Sequence, residues 1–335
     1  MGTKTVWLLG AGFSRALGGP LFQDLISRRV ERWVRAWTLQ NAHDIDLAPR
    51  DCPRLFEKGR RVGLWSDAEE CIALLDATRE DLVTREVVRD ALHESEPNVA
   101  ANLAVEYPVN LDTTLTSFTQ FVAIATSHFV PSDTVTQLPE SWDPFLRWAL
   151  TLTQNDVIVS FNYDRVVETL CESIGIENCN LIKLHGTAPP SDELIASLKE
   201  RQPVKSICIP GPSKLARSRS DLKPSWEQAK AALSAAERLI IIGYSFPPSD
   251  ATTRWLVLKH CRKHVRVAVV LGHGEPGNRV TAMFRHLDDK VVNTQQLAQQ
   301  YLADGTALSD DEHRFAHELT WQHIENFKRA YGPDR

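Results

Sequence analysis

The chain contains no apolar run near the roughly 18 residues that a membrane-crossing helix needs, so a bilayer span is not expected. None of its six cysteines, Cys52, Cys71, Cys171, Cys179, Cys208 and Cys261, forms a C-x-x-C pair. That excludes a ribbon-type zinc site. Positive charge is not in excess: 38 Lys and Arg stand against 43 Asp and Glu, a net of −5. Coating of nucleic acid through bulk charge is therefore not expected. No H-E-x-x-H motif occurs. His260/His264 and His313/His317 are spaced i, i+4 without that glutamate, among charged residues, and read as solvated helix faces. There is no internal repeat and no low-complexity tract, and Val6 stands where a myristoylation signal wants Ser or Thr. The apolar start at 6–9 is soon broken by Gly12, Ser14 and Arg15, and reads as a first strand instead of a signal peptide. Six reduced thiols in a cytoplasmic protein are the expectation. With 43% hydrophobic and 24% charged residues over 335 positions, the chain has material for a folded core and length for about two domains.

Continuous β-branched and aliphatic runs occur at Thr5–Leu9, 157–161, 181–184, 206–209, 239–242 and 265–271. Runs without alternation suit a parallel sheet covered on both faces. Helical patterns at 165–174, 226–238 and 251–264 separate several of them, the strand–helix alternation of a doubly wound α/β fold. Between 21 and 150 the pattern is helical, at 21–37, 68–77, 82–95, 111–129 and 142–153. The expectation is an α/β, Rossmann-like doubly wound parallel sheet with a large helical insertion between its first and second strands. The core is assigned to 1–20 and 151–300, the insertion to 21–150 and a C-terminal helix to 301–335, its amphipathic part at 310–331. The long loops are expected at 188–192, 210–223 and 272–278.

Four short motifs follow apolar runs. Gly10-Ala11-Gly12-Phe13-Ser14 places glycines at a strand–helix turn, where backbone can approach a phosphate. Arg15 takes the third-glycine position of a dehydrogenase fingerprint, and a tight turn without ligand stands as the alternative. Asn162 and Asp164, in Phe161-Asn162-Tyr163-Asp164, arrive where open α/β sheets bind ligands, or else cap the next helix. His185, in Leu184-His185-Gly186, is a candidate general base or a structural histidine. Gly243-Tyr244-Ser245 precedes Pro248, read as ending the strand, and Ser249 or Asp250, read as a helix N-cap. Weaker candidates are the basic patch of Arg28, Arg29, Arg32 and Arg35 with Trp33 and Trp37, and the loop cations Lys214, Arg217 and Arg219.

Taken together and in order, GAGFS, FNYD, LHG and GYS resemble the sirtuin-like (silent information regulator-like) superfamily, most closely its bacterial NAD-hydrolysing anti-phage defence branch. The resemblance runs from Thr5 to about Leu271 and is loose over 21–150. It implies that Gly10, Ala11, Gly12, Phe13 and Ser14 form the phosphate- and ribose-binding turn. It implies that Asn162 lies by the nicotinamide ribose, Asp164 at the carboxamide pocket, His185 as the catalytic histidine, and Gly243 and Ser245 near the adenosine half. The two C-x-x-C zinc pairs of the deacylating members are missing, and G-I-P-D-F-R becomes Gly18-Gly19-Pro20-Leu21-Phe22-Gln23. Gly272-His273-Gly274 stands where many relatives place an Asn for the adenine ribose. The expected activity is NAD+ glycohydrolysis with NAD+ as substrate and no metal; the alternatives are deacylation, ADP-ribosyl transfer and a non-catalytic NAD-binding module. Control is expected from self-assembly or from a partner such as a HerA-type translocase ATPase or an Argonaute-like protein. Trp33, Trp37 and Trp321 are the candidate anchors.

Overall fold

Six short strands make one parallel sheet in the computed structural model. The structure describes residues 4–42, 52–78, 81–94, 111–131, 138–176, 179–247, 250–261, 265–270, 280, 282–284 and 291–293. The strands are β1 (Thr5–Leu9), β2 (Asp156–Ser160), β3 (Leu181–Lys183), β4 (Arg238–Ile242), β5 (Arg266–Val270) and β6 (Val291–Asn293), in the order β3-β2-β1-β4-β5-β6. The helices are α1 (Ala11–Arg15), α2 (Arg28–Asn41), α3 (Cys52–Arg61), α4 (Ala68–Ala77), α5 (Leu82–Glu94), α6 (Leu111–Ser127), α7 (Asp143–Thr151), α8 (Val166–Ser173), α9 (Ser191–Lys199), α10 (Pro212–Arg219), α11 (Lys223–Ala235) and α12 (Ala251–His260). No helix among the described residues is long and apolar enough to cross a membrane. The expected helix at 310–331 and loop at 272–278 lie outside the described residues.

The chain forms two compact units. The first comprises 1–19, 129–185 and 222–335; the second comprises 20–128 and 186–221. In the first, β1 is buried along its whole length, as its unbroken apolar run requires. Its side chains alternate between two cores because strand period is two. Val6 and Leu8 join Val159, Leu239, Ile241, Trp226 and Leu256 on the face covered by α11 and α12. Trp7 and Leu9 join Phe13, Phe145, Trp148, Val166 and Leu170 on the other, with α1, α7 and α8. Trp148 meets Trp7 edge-on at 5.5 Å and Phe13 at 5.1 Å.

The second unit holds α2–α6, α9 and α10. Two expectations fail there. The run at 206–209 is not a strand: it contributes one isolated antiparallel bridge, Gly186 to Ile207, and Ser206 gives its carbonyl to Thr187 N–H. The stretch 210–223 is not a loop: Pro212 opens α10, and the buried Asp76 of α4 accepts from both Ser213 N–H and Ser213 Oγ at 2.8 Å.

Candidate functional site

Strand register levels the ends of the sheet. Leu9 pairs with Ser160 and with Ile242, and Ser160 pairs with Lys183. The turns after β1, β2, β3 and β4 therefore open side by side on the carboxyl edge. The chain builds outward from β1 in both directions, so the β1/β4 boundary is a topological switch point, the usual crevice of open α/β sheets. Asn162 and His185 each stand two residues beyond the paired Ser160 and Lys183.

The β1 and β4 turns touch through bare backbone. Gly12 N–H donates to Gly243 carbonyl at 2.9 Å, and Gly10 N–H to Ile242 carbonyl at 2.9 Å. A Cβ on Gly12 would lie 2.5 Å from Gly243 Cα, and one on Gly10 would lie 2.5 Å from Tyr244 Cα. Gly243 has φ +63°, in the left-handed region glycine tolerates. This turn-to-turn packing by itself accounts for all three glycines. Phe13 N–H also donates internally, to Gly10 carbonyl at 2.8 Å, so three amides of the 10–14 turn are already engaged. Phe13 and Ser14 are buried, while Ala11, Gly12, Gly243 and Ser245 are half-buried along the edge.

Asn162 ties the β2 turn to the β1 turn. Its buried Nδ2 donates to Gly10 carbonyl at 2.9 Å and to Ser14 Oγ at 3.1 Å. With both amide hydrogens spent, what the side chain can offer a ligand is its carbonyl oxygen, an acceptor. Ser14 Oγ donates to Asp164 Oδ2 at 2.7 Å, and Asp164 Oδ1 accepts from Val166 N–H at 3.1 Å. Asp164 thus does steady the start of α8, one of its two sequence readings, while also holding Ser14. Burial pushes its pKa above the usual carboxylate range, against the pull of Lys183 and of the Ser14 and Val166 hydrogen bonds. Lys183 Nζ donates to Asp164 carbonyl at 2.5 Å and lies 3.4 Å from Glu168.

His185 is buried beside aromatic rings: Phe161 at 5.4 Å and Tyr163 at 6.3 Å between centroids. Its Nε2 lies 3.4 Å from Asp250 Oδ2, and that oxygen accepts from the Tyr244 hydroxyl. Asp250 caps α12 as expected, accepting from Thr253 N–H. Its second role beside His185 and that of Tyr244 were not foreseen. The signal was the S-x-x-x-x-D spacing after the glycine turn, which a cap explains equally well. Ser249 and Pro248 lie outside the described residues.

Several of the other candidates have partners within the chain. Arg29 guanidinium lies 4.3 Å over Trp33, whose ring meets His128 at 4.4 Å, and Arg35 pairs with Glu31 at 2.5 Å. Arg217 donates to the carbonyls of Ile207 and Lys205. His260 Nδ1 meets Ser234 Oγ at 3.2 Å; His264, His313, His317 and Trp321 lie outside the described residues. The six cysteines are free thiols. Among the described residues no group of three or more His, Cys, Asp or Glu is arranged to hold a metal.

Buried acceptor, hydroxyl, carboxyl and imidazole groups thus converge on one sheet edge, a set suited to orienting a hydroxyl or water and accepting its proton. Comparison with protein-family models and with curated proteins finds no match.

Proposed function

We propose that this edge binds NAD+ and hydrolyses it to nicotinamide and ADP-ribose. The observation that carries the reading is the Asn162 bridge to Gly10 and Ser14 at the level of His185, on the carboxyl edge beside the switch point. The strand order supports a Rossmann-like fold, and the helices between β1 and β2 support an insertion in it. The sirtuin-like order of motifs supplies the substrate.

In this mechanism the pyrophosphate lies against the 10–14 turn, by close approach to glycine backbone more than through the three engaged amides. Asn162 carbonyl holds a ribose hydroxyl or the attacking water. Nicotinamide leaves as a neutral amine from a cationic precursor, through an oxocarbenium-like centre, so the protein's tasks are orientation, charge stabilisation and proton removal. Water adds to the anomeric carbon as the C–N bond breaks, and His185 takes the proton released. Control by self-assembly or a regulatory partner belongs to the same proposal.

A structural reading competes, and specific contacts favour it: the glycines serve turn packing, and Asn162 and Asp164 tie two turns together. Incubating the purified chain with NAD+ and quantifying nicotinamide and ADP-ribose decides between them. Equal amounts of both products are expected. His185→Ala should lose on the order of 10²–10⁴ in turnover with little change in folding. Asn162→Ala should lose turnover and also about 1–3 kcal/mol of stability, since it unties buried polar groups. Full turnover in both variants would remove the mechanism. Tight binding without release would make the chain a binding module, and release only with an acetyl-lysine peptide would make it a deacylase.

A further inference from the structure

We propose that Asp250 is a positioning residue for His185, acting with Tyr244 to fix the imidazole's tautomer and direction for proton transfer; this rests on the NAD+-cleaving reading of the same edge. A helix cap needs one oxygen. Asp250 Oδ1 supplies it, accepting from Thr253 N–H at 3.3 Å. The other oxygen is turned away from the helix end. It accepts the Tyr244 hydroxyl and faces His185 Nε2 at 3.4 Å, with the carboxylate 2% exposed. Serine, threonine or asparagine would cap as well. None would offer a second, anionic acceptor to an imidazole.

The surroundings hold this pair in place. Tyr244 stacks on Phe161 with centroids 4.0 Å apart and planes 16° off parallel, and Phe161 also flanks His185. The three polar groups come from the end of β3, the turn after β4 and the start of α12, whose spacing strand pairing fixes. Among the described residues, titratable groups near His185 include Asp250 and Tyr163, with Tyr244 bonded to Asp250. An acceptor oxygen facing Nε2 favours the tautomer with hydrogen on Nε2 and the lone pair on Nδ1. In the proton step a substrate O–H bond breaks and an N–H bond forms at Nδ1. Nε2 keeps its hydrogen towards Asp250, whose carboxyl group offsets the imidazolium charge, the division of labour known from hydrolase triads.

Asp250→Asn tests this in the full-length chain. The amide oxygen keeps the α12 cap, so the melting temperature should stay within about 2–4 °C. The amide NH2 would face Nε2 as a donor and move the ring hydrogen to Nδ1. We expect kcat for nicotinamide release to fall on the order of 10²–10⁴-fold with KM for NAD+ unchanged. Nitrogen-15 NMR of His185 should report Nε2–H in the wild type and Nδ1–H in the variant. Asp67→Asn alters an N-cap on α4 that accepts from the Glu69 and Glu70 N–H groups, and should leave both readouts unchanged. If Asp250→Asn fails to fold, Tyr244→Phe keeps the ring stack and should still cost about tenfold in kcat through one lost hydrogen bond. An active wild type whose Asp250→Asn variant keeps both kcat and tautomer overturns the positioning role while the cleavage reading stands. A wild type that never releases nicotinamide overturns the cleavage reading, and the tautomer comparison then decides the pairing by itself.

Discussion

Asp164 joins the chemistry of single residues to stability. Its carboxyl holds Ser14, steadies the first turn of α8 and lies away from water. Burial outweighs its favourable partners and raises its pKa above the ordinary 3.8. The folded state therefore holds this proton to higher pH than the unfolded chain does. The stabilising difference is greatest at or below pH 3.8, falls as pH climbs towards the folded-state pKa, and stays low beyond it. Asp164→Asn should remove that slope, because an amide does not titrate. Urea midpoints from pH 4 to pH 8 should fall more in the wild type than in the variant, and parallel profiles would contradict the burial argument. The same residue shows where sequence reading reaches its limit. A polar residue after an apolar strand can cap or can serve a site, and here one carboxyl contributes to both. Asp250 was legible only as a cap, because its partner His185 lies 65 positions earlier in the chain and reaches it through strand pairing that local pattern does not encode.

At the scale of elements, what was legible was whatever local pattern determines. β1 matches its apolar run and α4 its periodicity, residue for residue. Elements made by distant contacts were not legible. α3 contains Gly59 in its interior, a residue that argues against a helix. It is completed by Trp65, whose ring fills the space beside Gly59 and whose Nε1 donates to Phe56 carbonyl at 2.8 Å. α10 reads as a polar loop until Asp76, 137 positions away in sequence, caps it. Gly211, at φ +134°, leaves room for that carboxylate, since a Cβ there would come within 2.4 Å of Asp76 Oδ2. Asp76→Ala should therefore act at a distance. It strands two donors of Ser213 at a cost of about 1–3 kcal/mol, and amide exchange should accelerate across 212–219. Unchanged protection of those amides would mean that Pro212 and local contacts suffice.

For the molecule as a whole, a continuous apolar strand pattern announced the parallel sheet, but the way the chain divides did not show. Segment 186–221 follows β3 and is counted with the helices of the second unit, and no strand or helix pattern in its sequence announces that assignment. Every residue proposed to meet NAD+ lies in the first unit, from Gly10 through His185 to Ser245. That distribution gives a test of binding that does not depend on turnover. NAD+ at about 100 times its dissociation constant stabilises the binding-competent state by about 2.7 kcal/mol. Hydrogen exchange measured with His185→Ala, so that NAD+ survives the experiment, should then slow in peptides covering 10–19, 161–170 and 239–247. Peptides from α4, α6 and α9 should exchange at their unliganded rates, since no proposed contact lies in them. ADP-ribose should reproduce the protection at 10–19, because it carries the pyrophosphate, whereas nicotinamide alone should not. Protection confined to the second unit, or none at any NAD+ concentration, would remove this sheet edge as the binding site.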